Sequence, residues 1–73
     1  MTRDIDIKSE EQVVRINRLA CAAPYEVWLS TDTVMLDARS LLGLFGLVGQ
    51  RAKVVTEDGL APRMLDRLVK KMA

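Results

Sequence analysis

Hydrophobic and polar positions alternate between two periods along this chain, and the switches between them predict its elements. Asp4 to Lys8, DIDIK, alternates residue by residue, the pattern of a half-buried strand. Ser9 follows, with Gln12 three positions on at capping-box spacing. Glu10 and Glu11 put negative charge in a first turn, where the helix dipole favours it. Val13, Ile16, Ala20 and Ala23 then recur on one helical face. Pro24 ends that helix, because the residue before a proline is pushed out of the helical region. Tyr25 to Leu29, YEVWL, is aromatic and β-branched, Ser30 to Thr33 is made of turn residues, and Val34 to Leu36 resumes the strand pattern. Tyr25 to Leu36 therefore reads as a β-hairpin. A second helix is expected from Arg39 or Ser40 to Gly49, with Gly49 as a left-handed cap. Ala52 to Glu57 predicts a further strand, closed by the Asp58–Gly59 turn. The last helix covers Ala61 to Met72, with Pro62 in its first turn and Leu65, Leu68, Val69 and Met72 at core spacing. The order βαββαβα predicts an α+β fold, an open-faced two-layer sandwich with a four-stranded, mostly antiparallel sheet and three helices on one face.

Leu36 to Leu47, LDARSLLGLFGL, departs from a simple core stripe. Gly43 and Gly46 lie inside the helical pattern, where each costs roughly 1 kcal/mol against alanine. At 100° per residue, Leu41, Leu44, Leu47 and Val48 fall in one arc and should be core. Phe45 lies at the margin of that arc, and Leu42 lies outside it on the glycine side. An exposed Leu42 beside Phe45 would form a hydrophobic knob able to touch a partner, although scattered exposed leucines are ordinary. Ser40 stands at the helix N-terminus next to Arg39. Two readings of it stay open. It is a plain N-cap, or it is a cap that also accepts a phosphoryl group, which free N–H groups, the dipole and Arg39 would favour.

Composition narrows the class. Seventy-three residues, 49% of them apolar and 29% charged, make one globular domain spanning residues 1–73. A net charge of +1 gives no electrostatic case for nucleic acid or an anionic membrane as a partner. Cys21, the single cysteine, forbids an intrachain disulfide and fits a reducing, cytoplasmic setting; its expected role is a small buried hydrophobe. No signal-peptide pattern is evident at MTRDIDIKSEEQ and no apolar run approaches membrane-spanning length. With no histidine and one cysteine, neither a metal nor a cofactor is expected, and no nucleophile–base pair suggests an enzyme. Tyr25 and Trp28 are three apart and should point to opposite faces of a regular strand.

On these residues the chain resembles the HPr-like phosphocarrier domains of the bacterial sugar phosphotransferase system (PTS). The element order matches. Asp37 to Leu47, DARSLLGLFGL, is similar to the family's NAKSIMGLMSL-type segment, and VVTEDG, Val54 to Gly59, to its last strand and turn. The resemblance implies that Ser40 matches the family's regulatory serine, a phosphorylation site in many Gram-positive bacteria. It also implies that Leu42 and Phe45 occupy partner-contacting positions. The departures are equally specific. A phosphocarrier of this family holds phosphate on a histidine in a GLHARP-type loop before the first helix, and this chain has no histidine. The loop is shortened to Lys8–Ser9, and Glu10 and Glu11 stand where an arginine would help hold phosphate. Phosphohistidine transfer is therefore excluded, and the resemblance offers one analogue, a histidine-free relative in this family that acts in carbon catabolite repression.

Two function classes follow. One is a non-catalytic regulatory or adaptor protein, binding a regulator or kinase through Arg39, Leu42 and Phe45 on the second helix, under control of Ser40 phosphorylation. The other is a diverged HPr-fold module without a phosphotransferase role that self-associates. The chain is expected to be a monomer or a weak homodimer.

Overall fold

The computed structural model describes all residues from Met1 to Ala73. The elements are β1 (Thr2–Asp6), α1 (Glu10–Ala22), β2 (Val27–Ser30), β3 (Met35–Asp37), α2 (Leu41–Phe45), β4 (Arg51–Thr56) and α3 (Pro62–Met72). One sheet runs in the order β1-β4-β2-β3. Every neighbouring pair is antiparallel, so the mostly antiparallel sheet expected from the sequence is wholly so. β4 lies between β1 and β2, which are the strands that α1 connects. Likewise β2 lies between β3 and β4, which α2 connects. The sheet is thus two interleaved βαβ units, with α1 and α2 packed against each other.

The two-residue period of the strands divides the sheet faces. Ile5, Val27, Leu29, Ala52 and Val54 point inward and are buried. Asp4, Asp6, Arg51 and Lys53 point outward and pair across β1 and β4, Asp4 with Lys53 at 3.0 Å and Asp6 with Arg51 at 2.9 Å. Trp28 lies on this open face, between Val55 and Asp37. The helices close the other face with Val13, Ile16, Ala20, Leu44, Leu65, Leu68 and Met72, forming one hydrophobic core of 15 buried residues. Fully burying a Leu or Ile side chain is worth about 1.5–3 kcal/mol, so this core carries the fold.

The start of α1 ties both layers together. Ser9 has extended backbone geometry, and its Oγ accepts from the Gln12 N–H at 3.1 Å. Gln12 is buried; its Oε1 accepts from the Lys8 N–H at 2.8 Å and its Nε2 donates to the Asp6 carbonyl at 2.8 Å. The expected capping box is present with one change: the glutamine reaches the N–H one residue ahead of the cap and fastens the end of β1 as well.

Several sequence expectations need correction. β1 begins and ends two residues earlier than expected, although Ile7 stays buried and its N–H bonds the Gln50 carbonyl at 3.0 Å. β2 begins at Val27, because Pro24 and Tyr25 turn the chain out of α1 before the ladder starts. Cys21 is exposed and not a core residue, since its helical phase falls off the Val13–Ile16–Ala20 stripe. Tyr25 and Trp28 are both half-buried. The α-helical part of α2 stops at Phe45 instead of reaching Gly49. From there to Gln50 the chain makes tight turns, with N–H groups bonding three residues back, as in Leu47 to Leu44 at 2.9 Å and Gln50 to Leu47 at 3.0 Å. Gly49 has φ +89, and its N–H bonds the Ile7 carbonyl at 2.7 Å. Its left-handed geometry thus swings the chain from α2 into β4 and against β1.

Candidate functional site at the start of the second helix

Ala38 anchors the approach to α2. Its side chain is fully buried, its N–H bonds the Val27 carbonyl at 2.9 Å and its own carbonyl accepts from Asn17 Nδ2 of α1 at 3.2 Å. One residue earlier, the Asp37 carboxylate accepts from the Arg39 backbone N–H at 2.9 Å, closing a turn. Arg39 also donates to Asp37 through Nε at 3.2 Å and a terminal nitrogen at 3.0 Å, and to Glu26 at 2.8 Å. The side-chain hydrogen bond from Arg39 holds the Asp37 carboxyl below its ordinary value of 3.8. Arg39, matched to an anion-holding role from sequence, is therefore already shared by two carboxylates of its own chain. Neither Glu26 nor Asn17 stood out in the sequence: their roles depend on α1 and β2 converging on the β3–α2 joint, which no local pattern encodes.

Ser40 occupies the N-cap position, and its carbonyl accepts from the Leu44 N–H at 3.1 Å. The expected capping hydrogen bond from its side chain is not made. Its backbone, φ −88 and ψ 89, differs from the extended geometry that lets Ser9 cap α1, and its Oγ sits over Gly43. A Cβ on Gly43 would lie 3.3 Å from that Oγ and 3.5 Å from a Leu36 methyl. A side chain at Gly43 would thus press most closely on Ser40 and meet Leu36 only at ordinary contact distance. Ser40 is an exposed residue, and its hydroxyl makes no hydrogen bond within the protein.

The apolar phase of α2 is as expected. Leu44 and Leu47 are buried, while Leu41, Phe45 and Val48 are half-buried and pack against the core. Leu42 is 86% exposed, the most exposed large hydrophobe of the chain. Phe45 presents only part of its ring. The structure places Arg39, Ser40, Leu42 and Phe45 on one short stretch of surface, with Arg39 turned toward Glu26 and Asp37.

At the head of α1, the chain passes directly from β1 into the Ser9–Gln12 cap. Ser9 Oγ is engaged as an acceptor, and Glu10 and Glu11 follow it. No protein-family model and no curated protein matches the sequence. Among solved structures, the crystal structure of HPr-C-His from Thermoanaerobacter tengcongensis is similar at a TM-score of 0.75 and 19% identity, covering 99% of this chain and 90% of that one. The fold is HPr-like. At 19% identity the likeness is one of architecture; on that HPr-like frame this chain carries no histidine, a capped and acidic α1 entrance, and an exposed leucine on α2.

Proposed function

We propose that this protein is a non-phosphocarrier regulatory or adaptor protein of the HPr-like type, working in the cytoplasm in association with the phosphotransferase system or carbon regulation. It binds a protein partner, a regulator or a kinase, through Leu42 and the exposed part of Phe45. The observation that carries this reading is Leu42 itself. A leucine 86% exposed at the head of α2 gains nothing within the monomer, whereas seating it in a partner's pocket is worth about 1.5–3 kcal/mol. The absence of histidine supports the non-phosphocarrier half of the proposal.

Ser40 is the control point of this reading. The residue is exposed and its hydroxyl unengaged, so a kinase can reach it. A phosphoryl group would add about −1.5 to −2 charge two residues from Leu42. It would compete with Asp37 and Glu26 for Arg39, loosening the β3–α2 joint as it forms its own pair. Arg39 is thus the residue through which phosphorylation is felt.

Affinity capture from cytosol with immobilised wild type and Leu42→Glu tests the binding role. The expected result is a protein retained by wild type and lost with Leu42→Glu; an identical set on both overturns it. The same exposed leucine also suits self-association, which sedimentation velocity separates: a dimer abolished by Leu42→Glu would favour the self-associating module.

A further inference from the structure

A groove separates the end of α1 from the Met64–Lys71 stretch of α3 and is lined by no residue of α2. Leu19, Ala23, Tyr25, Met64 and Leu68 line it, and Arg67 and Lys71 stand among its nine lining residues, none of which is acidic. Its volume of about 260 Å³ is below the usual range for cofactor and drug-sized sites and suits a single large side chain. Met64 is a large hydrophobe left substantially exposed here.

The charge around this groove is segregated in a way that the net charge of +1 conceals. Arg3, Arg39, Arg51 and Lys53, on the sheet and the β3–α2 joint, each form a salt bridge. Arg15, Arg18, Arg63, Arg67, Lys70 and Lys71, on α1 and α3, form none with a side-chain carboxylate, nor does Lys8 at the β1–α1 joint, and Arg15 donates to the Ala73 oxygen at 3.0 Å. Asp66, the only acid of α3, is taken by Arg3 at 2.7 Å on the flank that faces β1. Glu10 and Glu11 lie at the opposite end of α1. An apolar recess is therefore rimmed by unpaired cations.

We propose that this α1–α3 groove docks an acidic amphipathic helix of a protein partner. One bulky apolar side chain enters between Leu19, Tyr25, Met64 and Leu68, and carboxylates on the adjoining turns meet Arg67 and Lys71. Helix-in-groove docking seats an apolar anchor in a recess with the helix's other faces free to carry charge, and complementary rim charge sets orientation and on-rate. A membrane surface is a poorer fit, because insertion needs apolar groups that project and this site is concave. Single-stranded nucleic acid is also poorer, because the groove offers one half-buried tyrosine and no row of stacking rings.

The test is NMR titration of the ¹⁵N-labelled protein with a synthetic helical peptide bearing leucine at i, i+3, i+4 and i+7 and glutamate elsewhere. Amide shifts are expected in Leu19–Tyr25 and Met64–Lys71 and not at Leu42 or Phe45. The Arg67→Glu/Lys71→Glu variant should bind at least about tenfold more weakly with an unchanged circular dichroism spectrum, and Leu42→Glu should bind as wild type does. Equal binding of a peptide with lysine in place of glutamate overturns the proposal. So do shifts centred on α2, undiminished binding by the double variant, and the absence of shifts at about 1 mM peptide. Perturbation of the groove by single-stranded RNA or phosphatidylglycerol vesicles, with none from the peptide, overturns it too.

Discussion

Asp37 accepts three hydrogen bonds from a single residue, Arg39: one from the backbone N–H, one from Nε and one from a terminal nitrogen. The same logic recurs on the sheet, where Lys53 bonds Asp4 and Arg51 bonds Asp6. All three carboxyls are held below their ordinary value of 3.8 by side-chain hydrogen bonds from their basic partners. A carboxyl whose folded-state value is depressed adds stability above its unfolded value, and that contribution disappears as pH falls through the folded value. Urea midpoints measured from pH 6 to pH 2 should therefore hold steady down to about pH 4 and then fall. The Asp4→Asn/Asp6→Asn/Asp37→Asn variant should show a flatter acid limb, and an equally steep one would remove these pairs as its cause.

Gln12 joins β1 to α1 through its amide, and alanine there strands the Lys8 N–H and the Asp6 carbonyl in a part-buried position. Gln12→Ala should lower unfolding stability by about 1–3 kcal/mol, more than the roughly 1 kcal/mol expected for Ser9→Ala. Urea denaturation of both variants decides the order.

Thr56 carries the opposite situation. Its Oγ1 is buried on the core side of β4 and has no hydrogen-bond partner. Valine has the same shape without the hydroxyl, so Thr56→Val should stabilise the protein by about 1 kcal/mol. A lower thermal midpoint for that variant would contradict the assignment.

Gly46 and Gly49 should respond in opposite directions. A Cβ at Gly46 meets only the Gly43 carbonyl, at 3.4 Å, and its backbone is right-handed, so Gly46→Ala should stabilise by about 0.4–1 kcal/mol. Gly49 has open space around it but φ +89, so Gly49→Ala should cost about 1–2 kcal/mol. Chemical denaturation of the two variants checks the sign of each.

The contrast between Ser9 and Ser40 explains what the sequence made legible. Element order, helix phases and the exposure of Leu42 were all readable, because a two- or 3.6-residue period decides them locally. The Ser9 cap was readable for the same reason. At Ser40 the local signal is equally good, yet no cap bond forms: its backbone, φ −88 and ψ 89, is not the extended geometry that lets Ser9 cap α1. The end of α2 is not legible locally, since beyond Phe45 the chain leaves the helix for the turns through which Gly49 reaches Ile7. Arg39 was recognised as a site residue, but its pairing with Glu26 required the register of β2 against β3. Cys21 is exposed although cysteine is a typical core residue, because its helical phase lies off the buried stripe of α1.

Incubation with a serine-specific HPr kinase and ATP tests the proposed role of α2 most directly, because on that proposal the kinase docks through Leu42 and reaches the Ser40 hydroxyl. The account predicts one phosphate per chain, mapped by tandem mass spectrometry to Ser40, and a rate at least about tenfold lower for Leu42→Glu. An unmodified chain, a phosphate on Ser9 or Ser30 instead, or a Leu42→Glu variant phosphorylated at the wild-type rate would contradict it.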